Sequence, residues 1–239
     1  MFDRYFARSL TVLLVLVAPF AVADDLQQED SGPGAESHLN SHYVDPDLDV
    51  EEWVERFEGE SREVFAERHA ILKATGVQAG DRVVDIGAGT GLYTRLFAQA
   101  VGGKGWVHAV DISTGFLQHI NETATAAGLD NVTSVLGRVD SISLPADSVD
   151  LAFICDTYHH LEAVEPMLAS IHRALGPGGR LIVIEFERIP GESREWILDH
   201  TRAGKEVFRA EIEAAGFVLV EDVEIDGFVE NYFLKFVKK

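Results

Sequence analysis

The stretch Val83-Val-Asp85-Ile-Gly87-Ala-Gly89-Thr-Gly91 does most to narrow what this chain can fold into. A short β-branched run, Arg82–Ile86, leads directly into three alternating glycines, and Leu92 to Val101 then follows with helical spacing. Glycine takes positive φ without strain and leaves no Cβ between the backbone and whatever approaches it. A glycine turn between a strand and a helix is where an α/β protein brings its backbone close to a ligand. An acidic residue, Asp111, ends the next apolar run, Gly105–Asp111, and stands 20 residues after Gly91. A carboxylate at that place can accept hydrogen bonds from both hydroxyls of a ribose.

The rest of the body alternates in the same way. Ser113 to Ala127 reads as a helix with Ser113 as its N-cap, Val132–Leu136 and Val149–Cys155 as strands, and Glu162–Leu175 as a helix. Pro177-Gly-Gly179 turns into the strand Arg180–Glu185, and Gly204–Ala215 is helical. Phe217–Ile225 and Asn231–Val237 close the chain as strands, with the short link Asp226-Gly227 that forces an antiparallel pair. The inner strands are apolar on both faces, which argues for a mostly parallel α/β sheet with helices on both sides.

The glycine spacing, G-x-G-x-G, is one residue shorter than the dinucleotide fingerprint that sets a helix N-terminus against a pyrophosphate. That disfavours a nicotinamide oxidoreductase. A ligand without pyrophosphate does not need the longer form. The carboxylate of Asp85 suits one that carries a cationic amino-acid group.

Asp85-Ile-Gly87-Ala-Gly89-Thr-Gly91, Asp111 and the later Leu175-Gly-Pro-Gly-Gly-Arg-Leu resemble class I S-adenosylmethionine-dependent methyltransferases of the small-molecule type, from about Val77 to the C-terminus. The resemblance implies a three-layer Rossmann-like fold with a seven-stranded sheet of order 3-2-1-4-5-7-6, strand 7 antiparallel. It implies S-adenosyl-L-methionine as cofactor. Gly87, Ala88, Gly89 and Gly91 would line its methionine portion beside Asp85. Asp111 would hold the ribose and Ile112 would pack on the adenine. One position departs: where relatives often read Gly-Asp-Ala, this chain reads Gly137-Arg138-Val139. Arg138 cannot accept from the adenine amine but can stack on the ring, and Val139 still offers its backbone N–H.

Ligands in open α/β sheets bind outside the carboxyl ends of the strands. Strand four ends there in Asp156-Thr-Tyr158-His159-His160-Leu161. Asp156 is expected to face the cofactor. Tyr158, His159 and His160 are the candidate catalytic groups, since a base or an orienting group near the transferred methyl is all that an in-line displacement asks of the protein. Asp156 and Glu185 stand where metal-dependent catechol-type relatives place ligands, but the acidic-amide pair that completes such a site is missing, so no metal set is expected. Trp196, His200, Arg202 and Lys205 follow in a segment that can fold over the cleft.

Ahead of the sheet, Asp49–Phe57 and Ser61–Thr75 have helical apolar spacing, with stops at Gly59 and Gly76. Residues 46–75 are expected to form an N-terminal helical cap, and residues 76–239 the cofactor-binding domain. In the enzymes that the chain resembles, such helices form a lid. Residues 1–23 carry Arg4 and Arg8, an apolar run from Leu10 to Phe20, and Ala21-Val-Ala23 before Asp24. That is the pattern of a secretory signal peptide and predicts export to the periplasm, the alternative being an uncleaved membrane tether. Residues 24–45 are polar and aperiodic and read as a flexible linker, in which His38 and His42 are solvated.

The chain has 40 Asp and Glu against 20 Lys and Arg, a net charge of −20, which repels phosphate backbones and anionic lipid. Nucleic acid is therefore not expected as a partner, nor stable membrane insertion after signal cleavage. The single cysteine, Cys155, cannot form an intrachain disulfide. The function these features predict is methyl transfer to a small-molecule acceptor through an O, N, S or C nucleophile. The competing reading is an exported, non-catalytic S-adenosylmethionine- or nucleoside-binding or scaffold protein of the same fold.

Overall fold

A computed structural model describes residues 40–239. The expected signal peptide and residues 24–39 of the expected linker lie outside the described residues.

Seven strands form one sheet in the order β3-β2-β1-β4-β5-β7-β6. They are β1 (Arg82–Ile86), β2 (Trp106–Asp111), β3 (Val132–Leu136), β4 (Val149–Cys155), β5 (Leu175–Phe186), β6 (Phe217–Val223) and β7 (Asn231–Lys238). The first five run parallel, and β7 is antiparallel to both of its neighbours. This is the expected topology. Strand β5 starts five residues earlier than the Arg180 expected for it. Its Leu175 pairs with Val149 and its Arg180 with Leu151, so 176–179 bulge out of the ladder.

Side chains alternate across the sheet, and both faces are apolar. On one face Val84, Ile86, Ala152, Ile154, Leu181, Val183, Leu234 and Phe236 pack with residues of α6 (Val164–Ala174) and α8 (Lys205–Ala214). On the other, Val83, Leu151, Phe153, Ile182, Ile184 and Phe233 pack with α3 (Arg68–Thr75) and α4 (Leu92–Val101). Helix α5 (Thr114–Ala126) lies along β2 and β3. Ser113 caps it as expected, its side chain accepting from Phe116 N. Among the described residues no helix is long and apolar enough to cross a membrane.

The cap holds α1 (Val50–Phe57), capped by Asp49, and a second segment that the sequence read as one helix. It is two: α2 (Glu63–Ala66) and α3, which meet at Glu67. Two carbonyls near the break bond to side chains. Val64 O accepts from Tyr93 Oη at 2.6 Å and Phe65 O from Arg68 Nη1 at 2.6 Å. Gly76, at φ +69°, ends α3 in the left-handed conformation that favours glycine.

Candidate active site

A cavity of about 790 Å³ opens at the carboxyl ends of β1, β2 and β4, roofed by the cap. Its volume lies in the upper part of the ~300–1,000 Å³ range of small-molecule sites.

Its floor is the glycine turn. Gly87 (φ +67°) and Gly89 (φ +52°) hold the backbone in the left-handed region. A Cβ on Gly87 would stand 2.2 Å from Thr157 Cγ2, so the turn after β1 nests directly against the turn after β4. Gly87 N and Ala88 N both donate to Val110 O, at 2.8 and 3.1 Å, which anchors the turn to β2. Gly91 does not line the cavity, contrary to expectation. It stands at the N-cap of α4 with φ +79°, and a Cβ there would be 2.7 Å from Ile120 Cγ1. Its role is to let α4 approach α5.

Two buried carboxyls flank this turn. Thr94 Oγ1 donates to Asp85 Oδ2 at 2.6 Å. Burial still pushes the Asp85 carboxyl up to about 7, with Asp111 adding to the rise while Thr94 and Arg95 oppose it. Asp111 accepts from Gly89 N at 2.9 Å and from Ser113 N at 2.8 Å. Burial raises its pKa too, partly offset by backbone donors from Ser113, Gly89 and Ile112. Ile112, Arg138 and Val139 also line the cavity. Arg138 is exposed at the rim, its Nε donating to Asp140 Oδ1 at 3.1 Å.

The roof is tied down by charge. Glu58, just beyond α1, accepts from Thr90 Oγ1 at 2.8 Å and from Arg95 Nη2 at 2.8 Å. Arg62 reaches across to Asp156 at 2.5 Å, and Asn231 Nδ2 donates to the other oxygen of Asp156 at 2.7 Å. Asp156 therefore lines the cavity, but both its oxygens are already engaged. Its backbone has φ +47°, rare for a side-chain-bearing residue, and burial raises its carboxyl to about 6 against the pull of Arg62. Tyr43, Trp53, Phe57 and Phe116 form an aromatic wall, with Trp53–Phe57 and Tyr43–Trp53 centroids each 5.0 Å apart. Residues 40–45, read as linker, pack here. Asn40 Nδ2 donates to His160 O at 3.1 Å, Tyr43 meets His160 edge-on, and exposed His42 stacks on Trp53.

At the far end of the cavity, Tyr158–His160 form a single 3₁₀ turn. Three residues per turn send successive side chains in three directions. Tyr158 points away from the cavity into the core, which corrects its expected catalytic role. It packs on Phe208 and donates to Glu211 Oε2 at 3.0 Å. His159 is buried, its Nδ1 2.7 Å from Glu185 Oε2. The same carboxylate accepts from His159 N at 3.1 Å, and its other oxygen from Phe186 N at 2.8 Å. His160 faces the cavity, and burial followed by its histidine neighbours pushes its pKa down to about 3. Asp156 and Glu185 thus have partners other than each other.

The segment expected to fold over the cleft contains a short helix, α7 (Glu195–His200). It brings Trp196 and His200 to the cavity wall. Arg202 and Lys205 instead turn away. Arg202 pairs with both oxygens of Glu211 at 2.8 and 2.7 Å, and Lys205 with Asp222 at 2.6 Å.

A sequence family described as a methyltransferase domain matches residues 83–179. Over these residues the chain is similar to methyltransferase domains. It is 34% identical over 133 residues to the ubiquinone/menaquinone biosynthesis C-methyltransferase UbiE of Marinomonas sp., a match covering 55% of this chain and 53% of that one. The corresponding protein of Hydrogenovibrio crunogenus is 32% identical over 123 residues, covering 51% and 48%. The chain thus spans about half the length of the curated relatives it matches. In fold it is similar to a SAM-dependent methyltransferase from Aquifex aeolicus, with TM-score 0.69 and 24% identity, covering 78% of this chain and 97% of that one. It is also similar to the [4+2]-cyclase SpnF, with TM-score 0.63 and 17% identity, covering 72% and 80%. The domain's glycine turn, Asp85 and Asp111 all fall within the matched residues.

Proposed function

We propose that the protein is an S-adenosylmethionine-dependent methyltransferase acting on a small-molecule acceptor. One observation carries this reading: a side-chain-free cradle between two buried carboxyls, Asp85 and Asp111, opens into the same cavity as a histidine-rich wall.

The residues present fit the cofactor. A Cβ at Gly87 would disrupt the turn that forms the floor, and the carboxyls stand on either side of it. When bound, S-adenosylmethionine supplies an electrophilic methyl on a sulfonium leaving group. Asp85 holds the amino-acid ammonium, directly or through water. Asp111 accepts from the ribose hydroxyls, and Ile112 and Arg138 flank the adenine. Asp156, held by Arg62 and Asn231, secures the cap over the cradle rather than offering a free carboxylate. Tyr43, Trp53, Phe57 and Phe116 exclude water and suit a flat, largely apolar acceptor. The protein's work is orientation, which alone is worth about 7–11 kcal/mol. His159, oriented by Glu185, and His160 stand at the acceptor end.

The C-methyltransferase relatives support an acceptor of small-molecule size, and the net charge of −20 disfavours nucleic acid. The reading also includes export, supported by the signal pattern of residues 1–23, which mass spectrometry of the mature N-terminus checks. Calorimetry with S-adenosylhomocysteine, followed by a labelled-methyl screen of acceptors pooled by nucleophile type, tests the whole. Absence of binding refutes it. Binding without turnover on any pool leaves only a ligand-binding protein.

A further inference from the structure

His159, His160 and His200 converge on one point of the cavity wall. Each offers a ring nitrogen, and the three atoms lie within 4.8 Å of one another. The ring centroids are 4.2 Å apart for His159–His160, 4.7 Å for His159–His200 and 4.9 Å for His160–His200. Two of these rings carry a buried nitrogen with no hydrogen-bond partner, Nε2 of His159 and Nδ1 of His160. A buried polar atom without a partner is costly, so each such atom calls for an explanation.

The surroundings supply one. Nδ1 of His159 meets the buried carboxylate of Glu185 at 2.7 Å. With the ring proton held there, the lone pair of Nε2 is directed outward. A carboxylate behind a histidine is the usual support of a metal-ligating imidazole, since it fixes the ring and raises its basicity. The backbone N–H groups of His159 and Phe186 complete the hold on that carboxylate. His160 is fixed by its place in the same turn, and Asn40 bonds its carbonyl. His200 is exposed at the end of α7, its ring against those of His159 and His160. Donors of a tetrahedral zinc site, with bonds of ~2.0–2.1 Å, stand about 3.4 Å apart, so a modest side-chain adjustment closes a set whose nitrogens already lie within 4.8 Å of one another.

We propose that His159, His160 and His200, supported by Glu185, form a binding site for a divalent transition metal of the zinc type, with an open coordination position facing the acceptor half of the cavity. Three neutral imidazoles suit zinc and its neighbours in the series and do not suit magnesium or calcium, which prefer oxygen. Three protein ligands and one open position is the pattern of a catalytic rather than a structural site.

Resting on the methyl-transfer reading, the site also specifies the acceptor class: a molecule with an ionisable hydroxyl, such as a phenol or enol. On binding to the metal the hydroxyl releases its proton to water. The resulting anion, through its oxygen or the conjugated carbon, forms a bond to the methyl carbon as the carbon–sulfur bond breaks, its electron pair staying on sulfur. The products are the methylated acceptor, the neutral thioether and the proton released to water; when carbon is the nucleophile, a second proton moves from that carbon to the oxygen and restores the hydroxyl.

The test begins with metal alone. The purified, tag-free full chain is stripped with chelator and titrated with Zn²⁺, Co²⁺ and Mg²⁺, and cobalt coordination is read from its visible spectrum. One equivalent of Zn²⁺ and Co²⁺, a low-symmetry cobalt spectrum and no comparable Mg²⁺ binding are expected. His200→Ala, at an exposed position, should weaken Zn²⁺ more than 100-fold. Glu185→Gln should weaken it about 10- to 100-fold. His69→Ala, at an exposed position of α3 that does not line the cavity, should change nothing. Binding of S-adenosylhomocysteine to His200→Ala should match the parent protein. Absence of stoichiometric Zn²⁺, or Zn²⁺ binding that His200→Ala leaves intact, overturns the site. Loss of S-adenosylhomocysteine binding in the parent protein overturns the methyl-transfer reading instead.

Discussion

Asp85 is placed against its own stability. Its carboxyl is buried beneath the glycine turn, with the hydroxyl and backbone N–H of Thr94 donating to it. It gives up its proton near pH 7 in the folded protein, against 3.8 for an ordinary aspartate. Between those values the folded protein keeps a proton that the unfolded chain has already released. Stability therefore falls as pH rises from about 4 to about 7. At 1.36 kcal/mol per pH decade, the cost reaches about 4 kcal/mol at pH 8 and is on the order of 2 kcal/mol at pH 5. Asp85→Asn removes the titration while keeping shape and size. Urea unfolding of both proteins across pH 4–8 should show the variant gaining about 2–3 kcal/mol on the parent between pH 5 and pH 8. Titrating groups not coupled to Asp85 are common to both proteins and cancel in the difference.

The same carboxyl should couple cofactor binding to pH. An ammonium beside Asp85 favours the ionised form, which is about a tenth of the population at pH 6 and nine-tenths at pH 8. Affinity for S-adenosylhomocysteine should rise about tenfold over that range in the parent protein and stay flat in Asp85→Asn, at a weaker level. A pH-independent stability difference between the two would refute the burial argument. A parallel rise of affinity in both would refute the assignment of the ammonium to Asp85.

Two further substitutions test the geometry. Gly87→Ala places a Cβ 2.2 Å from Thr157 Cγ2 at φ +67°, and should cost about 2–4 kcal/mol from the clash and the left-handed backbone together. Thermal melting should show partial recovery when Thr157→Gly is added, whereas unchanged stability of Gly87→Ala would mean that the two turns are not in contact. Tyr158→Phe removes one hydrogen bond to a Glu211 that Arg202 still pairs, so it should cost about 1 kcal/mol and leave turnover of any identified acceptor unchanged. A large fall in kcat without loss of stability would return Tyr158 to the chemistry.

Much of the fold is legible because its signals are local. The bounds of β1, β3 and β4 follow from short β-branched or apolar runs with turn residues beside them. The Ser113 cap and the Gly76 stop are set by the chemistry of one residue each. The antiparallel end of the sheet follows from the shortness of the 224–230 link. What escapes is whatever depends on a distant partner. The break between α2 and α3 follows from a carbonyl bonded by Tyr93, 29 residues away. Residues 40–45 look like linker because their polarity hides the contacts that Asn40 and Tyr43 make across the cavity.

The histidine wall shows the same limit at the site. In sequence, Tyr158, His159 and His160 are three similar polar aromatics in a row. Only the 3₁₀ turn separates them, sending the first to the core, the second to Glu185 and the third to the cavity. The partner that makes the pair a trio lies 40 residues beyond His160, at the end of a helix of six residues. No periodicity links it to the motif. A physical clue does exist: Glu185 sits in a strand that is otherwise apolar from Leu181 to Phe186, and a carboxylate there needs donors. The strand pairing Cys155↔Ile184 brings the end of β5 alongside the turn after β4, so His159 is the donor within reach. Once His159 is committed to Glu185 through one nitrogen, its other, buried nitrogen has no hydrogen-bond partner, in a residue that lines the cavity. The fold thus assigns its carboxylates different tasks. Asp85 and Asp111 flank the glycine turn, Asp156 secures the cap, and Glu185 spends its charge on orienting a histidine.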